Sequence, residues 1–261
     1  MASISGTREW AAHSWNIATG CEHACRYCYA QAMACRFGRA TPASWPIPVV
    51  DPAKVARRWG KRQGRIMYPT THDITPALLE PSATTLRAML AAGNTVLIVS
   101  KPHRACVERL CEELLPWRAS VMWRFTIGSL DDDVLRFWEP GAPPSDERLA
   151  CLAHAHQAGY ATSVSCEPML DAAVERVVAA VEPWVTDSIW IGKANALGGR
   201  LAVNGCSLDV RAAGRVLVAG QNDDAIRALY ARLHEHPLVR WKESVKQVVG
   251  LALANEAGLD I

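Results

Sequence analysis

Short apolar runs rich in β-branched and aromatic residues alternate along the chain with segments whose apolar positions recur at helical spacing. That is the rhythm of βα units built around a parallel sheet. Six runs read as strands: residues 13–19, 65–69, 95–100, 120–128, 160–166 and 188–192. The intervals between them leave room for a helix each time. Asp51 followed by Pro52, Ser82 and Ser145 are expected to open helices, and Gly93 and Gly159 to close them. The Pro- and Gly-rich stretches 39–48 and 139–144 read as surface loops, because the βα rhythm resumes after each. Beyond Gly192 the rhythm weakens, leaving helical patterns at 223–233 and 243–257. The expected architecture is one α/β unit, a core over residues 1–200 with a helical extension over 201–261 packed on the same domain.

Composition changes this picture little. Half of the 261 residues are apolar and 21% are charged, as in an ordinary globular chain. The apolar runs are too short to cross a bilayer, and the first ten residues lack the layout of a signal peptide, so a cytoplasmic location is expected. Nine cysteines, an odd and unevenly spaced set, point to reduced thiols and not to a disulfide framework. The net charge of +2 predicts no nucleic-acid binding by itself, although residues 57–65 make a local basic run.

The concentrated chemistry lies in Cys21, Cys25 and Cys28, spaced Cys-x3-Cys-x2-Cys just after the first strand. No fourth cysteine is close enough to complete a zinc ribbon or a fully protein-ligated cluster. Thiolates favour soft metals, and a tight loop after Gly20 lets three sulfurs face one side of an iron-sulfur cubane, leaving one iron open. Two other readings fit these residues: buried core thiols, or a zinc knuckle completed by His23 or a distant histidine.

With Tyr27 before the last cysteine, the motif Cys-x3-Cys-x-aromatic-Cys resembles the signature of the radical S-adenosylmethionine (SAM) superfamily. The resemblance implies a partial (β/α)6 TIM-like barrel and a [4Fe-4S] cluster held by Cys21, Cys25 and Cys28. Its open iron would chelate the methionine moiety of S-adenosylmethionine, and one electron would then yield a 5′-deoxyadenosyl radical. It also implies oxygen sensitivity and an external reductant, flavodoxin or ferredoxin. In place of the family's Gly-Gly-Glu-like turn the chain reads "MYPTTHDITP" at residues 67–76. That turn, "LIVSKP" and "WRFTIGS" resemble the branch containing spore photoproduct lyase, and "SVSCEPML" resembles small phage and bacterial radical SAM proteins of unassigned activity.

By that likeness Lys101 meets the methionine carboxylate, Thr126 or Ser129 the amine or ribose, and Asp73 supplies an acceptor. Lys101 also reads as a solvated residue before Pro102, and Ser129 as an N-cap. Glu167, Lys193 and Asn195 follow strands at the end where (β/α) barrels keep their active sites, and so are candidates for substrate or cofactor contact. A salt bridge from Glu167 to Lys193 or Arg124 competes with that role. His72 reads as a proton donor, an adenine contact or a turn-stabilising residue. Cys166 is a candidate hydrogen-atom donor by resemblance to the lyase, although strand alternation turns it away from the side Glu167 faces. Arg240, Trp241 and Lys242 read as a strand-to-helix junction more than as a base-binding trio.

The expected activity is hydrogen abstraction from a substrate the residues do not identify. Repair or modification of nucleic acid competes with modification of a small molecule or peptide, and a non-enzymatic iron-sulfur or zinc binding module is the alternative from another class.

Overall fold

A computed structural model describes residues 4–259. In chain order the elements are β1 (His13–Ser14), β2 (Ala18–Thr19), α1 (Tyr29–Arg36), β3 (Val49–Val50), α2 (Pro52–Val55), β4 (Ile66–Tyr68), α3 (Leu79–Ala91) and β5 (Val96–Ser100). There follow α4 (Arg104–Glu113), β6 (Val121–Thr126), α5 (Asp132–Trp138), α6 (Ser145–Gln157), β7 (Ala161–Cys166), α7 (Val174–Val181) and β8 (Ile189–Ile191). The chain ends with α8 (Leu197–Val203), α9 (Leu208–Gly220), α10 (Asp223–Leu233), β9 (Val239–Trp241) and α11 (Glu243–Val249).

Seven strands form one parallel sheet in the order β1-β4-β5-β6-β7-β8-β9, and β2 pairs antiparallel with β3 in a separate ribbon. This is the open, partial TIM-like barrel with helices outside. Alternation along the strands sorts the side chains. Ile98, Trp123, Phe125, Val164, Cys166 and Ile191 join the core beneath the helices. Met67, Leu97 and Trp190 turn to the inside, where they meet Trp10. Arg124, fully buried, lies over the Trp10 ring at 4.6 Å and donates to Ser163 at 2.9 Å, so this interior charge is both stacked and hydrogen-bonded.

Several local expectations need correction. Residues 13–19 form two short strands in different sheets, because the chain leaves the barrel after β1 to make the ribbon. Ser82 lies inside α3, buried, where it accepts a hydrogen bond from Tyr68, so it opens nothing. Pro144, one residue before Ser145, is the N-cap of α6. The helix expected over 243–257 stops at Val249, where Gly250 takes the left-handed conformation. Residues 239–241 add a seventh strand to the six that the pattern predicts. Asp51 caps α2 as its position suggests, accepting from the Ala53 and Lys54 amides.

Among the described residues β1 and β9 do not pair, so the barrel has a seam. Segment 4–9 spans it. The Gly6 carbonyl accepts from Lys242 at 2.8 Å, the Gly6 amide donates to Glu243 at 3.3 Å, and the Gly258 amide donates to the Arg8 carbonyl at 2.7 Å.

Candidate functional site

The loops after the strands enclose a cavity of about 560 Å³, within the size of sites that hold a drug-sized ligand, roughly 300–1,000 Å³. Cys21, Cys25 and Cys28 line it together with Asp73, Lys101, Thr126, Glu167, Lys193 and Asn195. Ser129 and Cys166 do not. Ser129 is buried, donates to Asp171 and accepts from the Asp131 amide at 2.9 Å, while Asp131 itself caps α5. Cys166 points into the helix-packed core, as the alternation against Glu167 requires.

The thiol loop is held from several sides. Gly20 has φ +102°, and a Cβ there would lie 2.8 Å from the Trp45 carbonyl oxygen and 2.9 Å from that of Ile47, so glycine is required. The Cys21 amide donates to the Trp45 carbonyl at 2.9 Å. Asn204, at the end of α8, donates to the Arg26 and Cys28 carbonyls at 2.9 and 3.0 Å. Cys28 sits at the N-cap of α1 and its sulfur accepts from the Gln31 amide at 3.4 Å. Burial pushes all three thiols up, Cys21 to about 12, with Lys101 the principal cation opposing it at Cys25. Buried thiols of this kind become thiolates once a metal cation sits against them.

The residues fit a multi-iron cluster better than a zinc knuckle. His23, the nearest imidazole, uses both ring nitrogens elsewhere: Nδ1 lies 3.2 Å from Asp73 and Nε2 2.9 Å from His103. Among the described residues no three His, Cys, Asp or Glu side chains converge on one ion-sized point.

Behind the thiols, Asp73 accepts from the Ile74 and Lys101 amides at 2.8 and 2.9 Å and from Ser100. Burial raises its pKa, but His23, Lys101 and Ser100 outweigh that and hold it below the usual carboxylate range. Lys101 Nζ lies 3.9 Å from Glu139, which is fully buried, takes the Tyr27 hydroxyl and pairs with Arg148 at 2.6 Å. Desolvation lowers the Lys101 pKa, and the neighbouring Cys25, Glu139 and Asp73 more than reverse it. Lys101 is therefore no solvated surface lysine. The network of Tyr27, Glu139 and Arg148 escapes sequence reading. Its one local signal is the tyrosine inside the cysteine motif.

Glu167 finds a partner that neither Lys193 nor Arg124 supplies. Lys242 Nζ is 3.6 Å away, 3.5 Å from Glu243, and also paired with Glu9. Lys193 pairs instead with Asp223 at 3.6 Å, and Arg124 with Asp187 at 3.8 Å. Burial raises the Glu167 pKa against the pull of Lys242. Lys242 thus turns inward from the junction, while Arg240 bonds the carbonyls of Pro237 and Val239 outside the cavity. His72 also lines the cavity, with Nε2 accepting from the Ile17 amide at 3.1 Å and Nδ1 3.1 Å from the Asp73 carbonyl, a turn-holding arrangement. Arg8, Arg200 and Glu243 line the cavity as well, and nothing in the strand pattern marks them.

Residues 15–170 match the radical SAM superfamily as a family. The chain belongs to the radical SAM superfamily. A curated relative, the uncharacterised protein ORF301 of Acidianus two-tailed virus, is 28% identical over 166 residues, 59% of this chain and 54% of that protein. Among solved structures, spore photoproduct lyase with a cysteine-to-alanine substitution, bound to dinucleoside spore photoproduct, aligns with a TM-score of 0.53 at 19% identity over 73% of this chain and 58% of the lyase. A tyrosine-to-phenylalanine variant of the lyase aligns with a TM-score of 0.55 at 18% identity over 78% and 63%. This radical SAM chain therefore spans little more than half the length of these relatives, and the lyase shares its fold.

Proposed function

We propose that the protein is a radical SAM enzyme that abstracts hydrogen from a substrate held in the cavity beside the thiol loop. One observation carries this reading: Cys21, Cys25 and Cys28 share a single cavity with Asp73, Lys101, Thr126 and Glu167 at the C-terminal ends of the parallel strands. The three cysteines are the ligands for a [4Fe-4S] cluster, and Lys101, Thr126, Lys193 and Asn195 are the contacts for S-adenosylmethionine. When bound, these groups supply a 5′-deoxyadenosyl radical on receipt of one electron from a flavodoxin or ferredoxin.

The chain's own residues bind, orient and exclude water. Lys101, kept cationic by Glu139 and Asp73, offers a carboxylate a charge-assisted partner. Segment 4–9 closes the seam and limits solvent and oxygen entry. Glu167, held by Lys242, is the carboxylate presented to the substrate, and Cys166 does not reach it. No helix among the described residues is long and apolar enough to cross a membrane; a cytoplasmic site of action agrees with the family.

Anaerobic reconstitution with iron and sulfide, dithionite reduction and quantification of 5′-deoxyadenosine test the reading. The nucleoside is expected from the wild type and not from a Cys21, Cys25 and Cys28 triple alanine variant. A reduced cluster that yields none would favour a binding module. A nucleic-acid substrate is the second reading, supported by the fold likeness to a lyase solved with dinucleoside spore photoproduct. It predicts oligonucleotide binding that weakens steeply with salt.

A further inference from the structure

We infer that the outer face of the thiol loop, built by α1, the loop after it, α8 and α9, is the docking surface for an acidic one-electron carrier protein. The inference rests on the radical SAM reading above and adds where the electron enters.

Residues 23–50 and 197–218 together hold six arginines, no lysine and one carboxylate, Asp209, in a chain whose net charge is only +2. Arg200 lines the cavity, so five of the six arginines belong to this face, and the chain outside these two segments is slightly acidic. Eight of the eleven exposed large apolar side chains among the described residues also fall in segments 33–49 and 203–218. Phe37 is 65% exposed, with the Arg36 and Arg39 guanidinium groups 5.9 and 5.8 Å from its ring centre, and Ile47 and Val49 are 69% and 67% exposed.

Tertiary packing joins the two stretches. Helix α1 packs on α8 and α8 on α9, and a Cβ on Gly205 would touch Pro42 at 3.3 Å. Both stretches bond the thiol loop itself. Trp45 accepts from the Cys21 amide, and Asn204 donates to the carbonyls of Arg26 and Cys28. The face is thus the outer wall of the loop that carries the cluster ligands.

Its composition selects the partner. Eight exposed apolar side chains set among arginines suit a protein interface, since surfaces that bind nucleic acid are more polar and much more positively charged. Positive charge around an apolar centre calls for a negatively charged partner and speeds encounter at low salt. One electron passes in the docked pair: the carrier is oxidised by one electron and the cluster reduced by one.

The test uses the reconstituted holoprotein and a flavodoxin of net negative charge. Flavodoxin affinity is read by flavin anisotropy, and the cluster reduction rate by stopped flow, each against ionic strength. In Arg36→Glu/Arg39→Glu, and separately in Arg215→Glu/Val216→Ser, affinity and flavodoxin-driven reduction are expected to fall about tenfold or more, with a shallower salt dependence. Dithionite-driven 5′-deoxyadenosine formation should stay at the wild-type level, which also shows that the variants fold. Wild-type flavodoxin rates in both variants would overturn the docking surface and leave the enzyme reading intact. Loss of single-stranded oligonucleotide binding in the same variants, with flavodoxin rates unchanged, would assign the face to nucleic acid. Failure of dithionite-driven nucleoside formation in the wild type would instead remove the reading on which the surface depends.

Discussion

Beside the thiols, Glu139 is ringed by Arg148 and Lys101 and holds its charge; beside the seam, Glu9 shares Lys242 with Glu167 and Glu243 and holds a proton. Both carboxylates are 1% exposed, so burial does not separate them. Desolvation is the largest influence on each, and it raises both. At Glu139 the two cations and the Tyr27 hydroxyl together outweigh it, and the pKa is lowered. At Glu9, Lys242 and Lys246 serve three carboxylates, and burial together with the hydrogen bond to Glu243 pushes the pKa up to about 8. The ratio of cations to carboxylates decides the protonation state of a buried acid here. Beside the thiols the cations Arg148 and Lys101 match the buried carboxylates Glu139 and Asp73 in number, whereas the seam has a surplus of acids.

The largest expected effect comes from upsetting the first cluster. Arg148→Met leaves Glu139 buried with Lys101 at 3.9 Å as its remaining cation beside the Tyr27 hydroxyl, and should cost about 3–5 kcal/mol in urea unfolding. Adding Glu139→Gln should restore much of that; a single variant within 1 kcal/mol of wild type, an order-of-magnitude threshold, would break the comparison.

The second cluster is expected to show in the pH dependence. Folded Glu9 keeps its proton up to about pH 8, whereas the unfolded carboxyl releases it near 4.5. The folded state binds more protons across that window, so its contribution to stability is full below pH 4.5 and lost as the pH rises toward 8. The slope reaches at most about 1.4 kcal/mol per pH unit. Glu9→Gln should flatten the decline in unfolding free energy between pH 5 and 8, and persistence of the slope would assign it to another group.

Smaller still is the backbone contribution at the thiol loop. Gly38, at φ +66° with nothing within 4 Å of an added Cβ, should lose only about 1 kcal/mol on conversion to alanine. Gly20→Ala meets two carbonyl oxygens and should lose about 2–3 kcal/mol and take up less iron on reconstitution. Equal melting temperatures and iron content in the two variants would refute the close-approach argument. The smallest effect on activity is expected at Cys166. Cys166→Ala removes one buried sulfur, costs about 1–2 kcal/mol in thermal unfolding, and leaves 5′-deoxyadenosine yield unchanged because the side chain lies outside the cavity. A reduced yield at full stability would reopen its role as a hydrogen donor.

Much of the fold was legible because strand and helix periods are local signals. Runs such as 95–100 and 160–166 became β5 and β7 almost residue for residue. The seventh strand was not, since Arg240 interrupts Val239–Trp241, whereas the equally short β4 and β8 are unbroken apolar runs. At the site, the cysteine spacing and the strand ends bearing Lys101, Thr126 and Glu167 were readable, whereas Ser129, placed there by likeness to the lyase branch, faces Asp171 instead.

The order of residues alone determined the βα rhythm, the open three-cysteine motif and the inward side of Glu167, because each depends on spacing within a few residues. Tertiary structure alone decided which charges meet: Lys242 with Glu9 and the Gly6 carbonyl 236 positions away, Glu139 with Tyr27 112 positions away, and Asn204 with the carbonyls of the thiol loop. Those pairs carry no periodic signature. They exist only where strands and helices have already brought distant segments into one low-dielectric interior, and there an unpaired charge or carbonyl is too costly to leave alone.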